Sequence, residues 1–119
     1  TSDKEHLDAY VTDPLCSFMF TVNAYYSMMA GMLGMQKKEN ISMIPKSLPV
    51  LFVSGAEDPV GNFGKGVRKV CEIYKSAGLR DVSLKLYEGD RHEILNETNR
   101  EQVYQELYEW FEEKLSNRD

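Results

Sequence analysis

In the second half of the chain two short apolar runs each close on a glycine turn. Pro49-Val50-Leu51-Phe52-Val53-Ser54 leads into Gly55-Ala56-Glu57-Asp58, and Val82-Ser83-Leu84-Lys85-Leu86-Tyr87-Glu88 leads into Gly89-Asp90-Arg91-His92. The first run is apolar throughout, which predicts a parallel strand covered on both faces. The second alternates, with Val82, Leu84 and Leu86 facing one way and Ser83, Lys85 and Tyr87 the other. That pattern predicts a strand exposed on one face, near a sheet edge. Between them, Asn62 to Ala77 carries Val67, Val70, Cys71 and Tyr74 at helical spacing, with Gly78 as the residue that ends the helix. After the second run, Thr98-Asn99-Arg100-Glu101 reads as a capping box. It opens a last helix whose stripe of Val103, Leu107, Trp110, Phe111 and Leu115 is expected to pack against a sheet. Strand, helix, strand, helix makes a right-handed parallel crossover unit and places the chain in the α/β class.

The first third has a different pattern. Residues 3 to 13 read as a charged helical segment punctuated at Asp13-Pro14. From Pro14 to Gln36 there is no charged residue. Phe18, Thr21, Tyr25, Met28, Met32 and Met35 recur at heptad-like spacing, and Met19, Val22, Tyr26, Met29 and Leu33 fill the neighbouring face. A helix apolar over so much of its circumference is expected to be covered by other structure. Its length would suffice to span a bilayer, but Ser17, Thr21, Asn23, Tyr25, Tyr26 and Ser27 interrupt it, and Gly31 and Gly34 weaken it. A helix within protein or beneath a lipid-like substrate is the better reading. Lys37-Lys38-Glu39-Asn40 reads as a linker into the α/β part.

Two strands alone do not make a stable open sheet. The all-apolar first strand calls for neighbours on both edges, supplied by an absent N-terminal segment or by a second copy of the chain. The expectation is therefore a part of a larger domain.

Composition narrows the function classes. With 42% apolar and 28% charged residues over 119 positions, the chain has the make-up of one small globular domain. Its net charge of -5 and the lack of a dense Lys/Arg cluster argue against a nucleic-acid partner. Cys16 and Cys71 form no CxxC and read as buried or semi-buried free thiols of a reducing, cytoplasmic compartment. Thr1 to Glu5 is polar and acidic and does not read as a signal peptide.

The candidate chemistry lies at the two strand ends. In open parallel sheets, functional residues collect in loops at the carboxyl ends of strands. Asp58 and His92 both fall there, in acid-then-histidine order. Taken singly, Asp58 could be a turn or cap residue, and His92 a surface histidine. Together they form the acid and base part of a hydrolytic triad, in which the carboxylate binds one imidazole nitrogen and the other takes a proton. Among rival carboxylates, Glu57 would point to the opposite side. Asp90 is close in sequence to His92 and reads as a solvated turn residue, and Asp13 and Asp81 read as caps or turns. No metal site is expected: HExxH would need a second histidine where Asn96 stands, and His6 lies on a separate polar segment. Gly61 to Gly66 matches neither dinucleotide nor P-loop spacing.

These residues resemble the C-terminal portion of an α/β-hydrolase, in particular the monoacylglycerol lipase and lysophospholipase group of serine hydrolases. The resemblance rests on Asp13-Pro14-Leu15, on Leu48 to Asp58, on Leu86-Tyr87-Glu88-Gly89, on His92-Glu93-Ile94-Leu95-Asn96-Glu97 and on the final helix with Trp110. It covers nearly the whole chain. It implies that residues 1–40 are a helical segment derived from the cap, and that residues 41–119 are the C-terminal α/β portion of the hydrolase domain. It implies Asp58 as triad acid and His92 as general base, with Met28, Met29, Met32 and Met35 beside the acyl-binding cleft. The implied reaction is carboxylic ester hydrolysis through an acyl-serine, with no cofactor, on a lipid-like or small ester substrate; transient contact with a membrane surface is open to it.

One departure is large. The family's serine sits in a G-x-S-x-G elbow, and no such motif occurs here. Ser17, Ser27, Ser42, Ser47 and Ser54 all lack the strained strand-to-helix turn. The chain thus reads as a serine ester hydrolase fragment that carries acid and base without the nucleophile and is inactive alone. The competing reading is a non-catalytic α/β module that self-associates or binds a partner.

Overall fold

A computed structural model describes residues 1–16 and 18–116. The helices are α1 (Lys4–Thr12), α2 (Val22–Met35), α3 (Lys38–Ser42), α4 (Lys65–Ser76) and α5 (Arg100–Ser116), with strands β1 (Val50–Gly55) and β2 (Val82–Tyr87) and one 3-10 turn at Ile94–Asn96. β1 and β2 pair in parallel along their full length, from Val50 opposite Val82 to Gly55 opposite Tyr87. The ladder extends beyond both ends through Val50 N–H to the Asp81 carbonyl (2.9 Å) and Ala56 N–H to the Tyr87 carbonyl (2.8 Å).

Each face of this sheet carries one helix. On one face Phe52 meets Tyr74 of α4 edge to face at 5.1 Å between ring centroids. On the other, Tyr87, Ile94 and Val103 form the buried cluster, with Val53 and Leu107 packed against it. The face of β2 bearing Ser83, Lys85 and Tyr87 is therefore not a solvent face, contrary to the alternation reading. Tyr87 is buried, and its hydroxyl donates to Glu106 Oε2 of α5 at 2.9 Å. Lys85 is tied to the same carboxylate at 3.1 Å. An amphiphilic tyrosine and a long lysine stem supply apolar area to the sheet while their polar tips meet Glu106.

Several element boundaries differ from the sequence expectation. α4 starts at Lys65 rather than Asn62, because Asn62, Phe63 and Gly64 all lie at positive φ (52°, 53° and 76°). That left-handed stretch turns the chain before the helix can open. It also makes Gly64 necessary, since a Cβ there would stand 2.6 Å from Leu86 Cδ1. α5 opens at Arg100, one residue later than a Thr98 cap would set it. Its stripe divides: Val103 is fully buried and Leu107 half-buried, while Phe111 and Leu115 are exposed together with Tyr104 and Tyr108.

The charge-free stretch is helical only from Val22, where Thr21 caps α2 by accepting from Ala24 N–H at 3.2 Å. No residue of α2 is buried; the covering expected for it is not provided by the described residues. The expected linker at residues 37–40 is instead the start of α3, which buries Ile41. Cys71 is buried, but Cys16 is exposed. Among the described residues no helix is long and apolar enough to cross a membrane.

Candidate functional site

β1 and β2 end side by side, and the loops that leave them are joined at backbone level. Gly55 makes this possible. A Cβ on it would lie 2.2 Å from the carbonyl oxygens of both Asp90 and Arg91, so only glycine lets the second loop cross over the first. Glu57 N–H then donates to the Asp90 carbonyl at 2.9 Å. The closeness of Asp58 and His92 follows from this crossing of main chains.

His92 Nδ1 stands 3.0 Å from Asp58 Oδ2. The carboxylate is almost fully enclosed, whereas the imidazole is 62% exposed. Asp58 Oδ1 accepts Val60 N–H at 2.8 Å. Burial works to raise the Asp58 pKa, but hydrogen bonds from His92, Val60 N–H and Gly61 N–H outweigh it and hold the carboxyl below its ordinary value. At neutral pH Asp58 is therefore an ionised, acceptor-only group, and Nδ1 of His92 must carry the proton it donates. In the neutral ring, Nε2 is then the basic nitrogen. Among the described residues Nε2 has no hydrogen-bond partner. The chemical capacity of this arrangement is proton acceptance at Nε2, with the resulting imidazolium stabilised by Asp58.

The other candidates are arranged as follows. Glu57 is exposed. Asp90, expected to be solvated, is buried at 4% exposure, and its Oδ2 has no partner. It faces inward because its own carbonyl and N–H are held by Glu57 and Tyr87. Burial, together with the nearby Glu97 charge, pushes its carboxyl above the ordinary value against a hydrogen bond from Asn99. Asp13 ends α1 and accepts Leu15 N–H, and Asp81 pairs with Lys114 at 3.0 Å.

Met32 and Met35 line an open groove of about 560 Å3 between α2 and α4, together with Ile41, Val70, Ile73 and Tyr74. Met28 and Met29 are not among its lining residues. The groove reaches Gly66, whose N–H is bonded to the Gly61 carbonyl at 3.0 Å, and Gly61 lies against Asp58. Ser27, Ser42, Ser47 and Ser54 are not bonded to His92; Ser54 Oγ instead donates to the Gly55 carbonyl at 3.3 Å. Ser17 lies outside the described residues. Among the described residues no group of three His, Cys, Asp or Glu side chains is arranged to hold a metal ion.

Sequence reasoning missed two features. One is the left-handed turn at Asn62-Phe63-Gly64 just after Asp58, where Phe63 N–H bonds the Asp58 carbonyl at 2.8 Å; only its glycine was a signal. The other is Glu97, fully buried five residues after His92, for which a glutamate closing the histidine segment was the sole visible hint.

Residues 1–99 match the family model described as serine aminopeptidase, S33. The chain belongs to this α/β-hydrolase family. Among solved structures, a highly thermostable carboxyl esterase from Bacillus coagulans, crystallised in complex with glycerol, is similar at a TM-score of 0.83 with 28% sequence identity. The match covers 93% of this chain but 36% of the esterase, so the chain spans little more than a third of that relative's length. The α/β-hydrolase fold expected from the sequence is the fold this S33-family chain has.

Proposed function

We propose that this chain is the C-terminal part of a serine ester hydrolase of the monoacylglycerol lipase and lysophospholipase type, in which Asp58 is the triad acid and His92 the general base. The observation that carries the reading is the 3.0 Å bond from His92 Nδ1 to an enclosed, ionised Asp58, with Nε2 left free on an exposed ring. In the whole domain Nε2 would take the proton of a serine hydroxyl as it attacks the ester carbonyl, and would return it to the leaving alcohol. The serine and its oxyanion hole would come from the part of the domain upstream of these residues. That part would also cover the exposed faces of α2 and α5. No cofactor enters this reaction.

An ester is favoured over a peptide because a carboxyl esterase is similar over 93% of this chain, although the family takes its name from a serine aminopeptidase. The apolar groove bordered by Met32 and Met35 suits an acyl chain, since methionine side chains adapt to variable apolar shapes. A role for Met28 and Met29 in that cleft rests on their neighbouring positions in α2. The test is labelling with a fluorophosphonate probe. The 119-residue chain is expected not to label, and the same chain joined to its upstream residues is expected to label and to hydrolyse p-nitrophenyl acyl esters faster than aminoacyl anilides. Labelling of the short chain, or an anilide preference in the long one, would contradict the proposal.

A further inference from the structure

Glu97 is fully buried. A carboxylate taken out of water is costly unless its oxygens are filled with donors, and here both are. Oε1 accepts Arg91 N–H at 2.9 Å. Oε2 accepts Ser2 N–H at 2.7 Å and also the Ser2 hydroxyl. Burial works to raise the Glu97 pKa, and the bonds from Ser2, Arg91 and Thr1 more than offset it, so the group stays ionised at neutral pH.

The place of Arg91 gives this carboxylate a consequence for His92. Asp90 and Arg91 share one trans peptide unit, whose carbonyl and N–H point opposite ways. The carbonyl is held by Glu57 N–H at 2.9 Å, and the N–H is held by Glu97. The peptide one residue ahead of His92 is therefore clamped at both ends, once to the loop carrying Asp58 and once to Glu97, three residues before α5. The Glu97 backbone is itself tied to α5, since its carbonyl accepts Arg100 N–H at 3.1 Å. That plane lies one residue before His92, so it fixes where Arg91 starts and leaves only the Arg91 φ and ψ between the clamp and the His92 backbone.

We infer that Glu97 is the positioning residue that holds His92 against Asp58, acting through the Arg91 N–H. The role requires a carboxylate. A glutamine has the same shape, but its amide nitrogen would face either Arg91 N–H or Ser2 N–H donor to donor, and one anchor would be lost. The inference rests on the reading of Asp58 and His92 as acid and base.

The deciding measurement is the tautomer of neutral His92 in the 119-residue chain, read from the imidazole nitrogen chemical shifts by NMR. The parent chain is expected to hold the Nδ1–H form. Asp58→Asn is expected to abolish that preference, and Glu97→Gln to shift it toward the mixture of a free imidazole while keeping native dispersion of the remaining amide signals. In the complete hydrolase, Glu97→Gln should lower kcat about 10- to 100-fold with KM changed less than about twofold. If Asp58→Asn removes the preference and Glu97→Gln leaves it intact, the positioning role is overturned and the acid–base reading survives. If neither variant changes the tautomer, the acid–base reading fails and the inference falls with it. Where Glu97→Gln does not fold, Glu97→Asp decides, because it keeps a carboxylate but withdraws it by one methylene from Arg91 N–H. An intermediate tautomer mixture supports the role, and an unchanged one overturns it.

Discussion

The main chain of Asp90 passes so close to Gly55 that a Cβ on the glycine would lie 2.2 Å from the Asp90 carbonyl oxygen. The atoms in the way are backbone, so no rotamer change can make room. Gly55→Ala is expected to push the two strand-end loops apart and to destabilise the fold by about 2–4 kcal/mol, in the range of overpacked or strained core sites. Urea unfolding measures the loss. The same variant should also lose the hydrogen-bonded Nδ1 proton signal of His92, which an unrelated core defect would leave in place.

Acid should unfold the chain in a predictable window. Asp58 and Glu97 are both held below their ordinary values. Groups of that sign stabilise the fold above the unfolded value, about 4, and lose the contribution as pH falls through the folded value. Thermal melts from pH 6 to pH 2 should show stability falling below about pH 4, and Asp58→Asn should flatten part of that fall. An identical slope in wild type and variant would contradict the assignment.

Asp90 carries the opposite sign. Its buried carboxyl lies above the ordinary value, with Oδ2 unpartnered. A raised carboxyl favours the fold below the unfolded value, and that advantage disappears as pH rises through the folded value. Asp90→Asn is therefore expected to stabilise the chain at pH 7 by about 1 kcal/mol, within the usual cost of an unsatisfied buried group. The gain should vanish near pH 3, where Asp90 is protonated in either state. Melting temperatures at the two pH values check both the size and the sign.

Tyr87 anchors α5 to the sheet through Glu106. Burial and the Glu106 carboxylate push its hydroxyl pKa up, so it is a donor at neutral pH. Tyr87→Phe removes the donor and keeps the ring, and is expected to cost about 1 kcal/mol. Because Lys85 still reaches Glu106 Oε2 at 3.1 Å and Gln102 Nε2 still donates to Oε1 at 2.9 Å, the carboxylate keeps two partners and the loss should not grow beyond that. Chemical unfolding of the two proteins gives the difference.

What the sequence disclosed depended on periodicity. β1, β2 and the helices between and after them were legible because apolar spacing and glycine punctuation reflect a core formed between Val53 and Leu107. Asp58 and His92 were legible as strand-end residues, and the structure brings them into contact. Where the reading went astray, non-local contacts were responsible. Tyr87 alternates with Leu86 as a surface residue would, yet α5 covers it. Asp90 looks like a turn aspartate, yet the crossing at Gly55 draws it inside. Glu97 is charged and sits between loop residues, so nothing in its neighbours marks it as the most buried carboxylate of the site. Its partners Ser2 and Arg91 are assembled only by the fold. Asn62 and Phe63 join a helical pattern on paper, but their positive φ sets the helix start three residues later.

The measurement that bears most directly on the assignment is turnover of an acyl ester by the complete hydrolase with His92 replaced by alanine. The expected result is a fall in kcat of about four orders of magnitude, comparable to loss of a triad member, with the fold retained. Normal turnover by His92→Ala would show that the imidazole beside Asp58 is not the base.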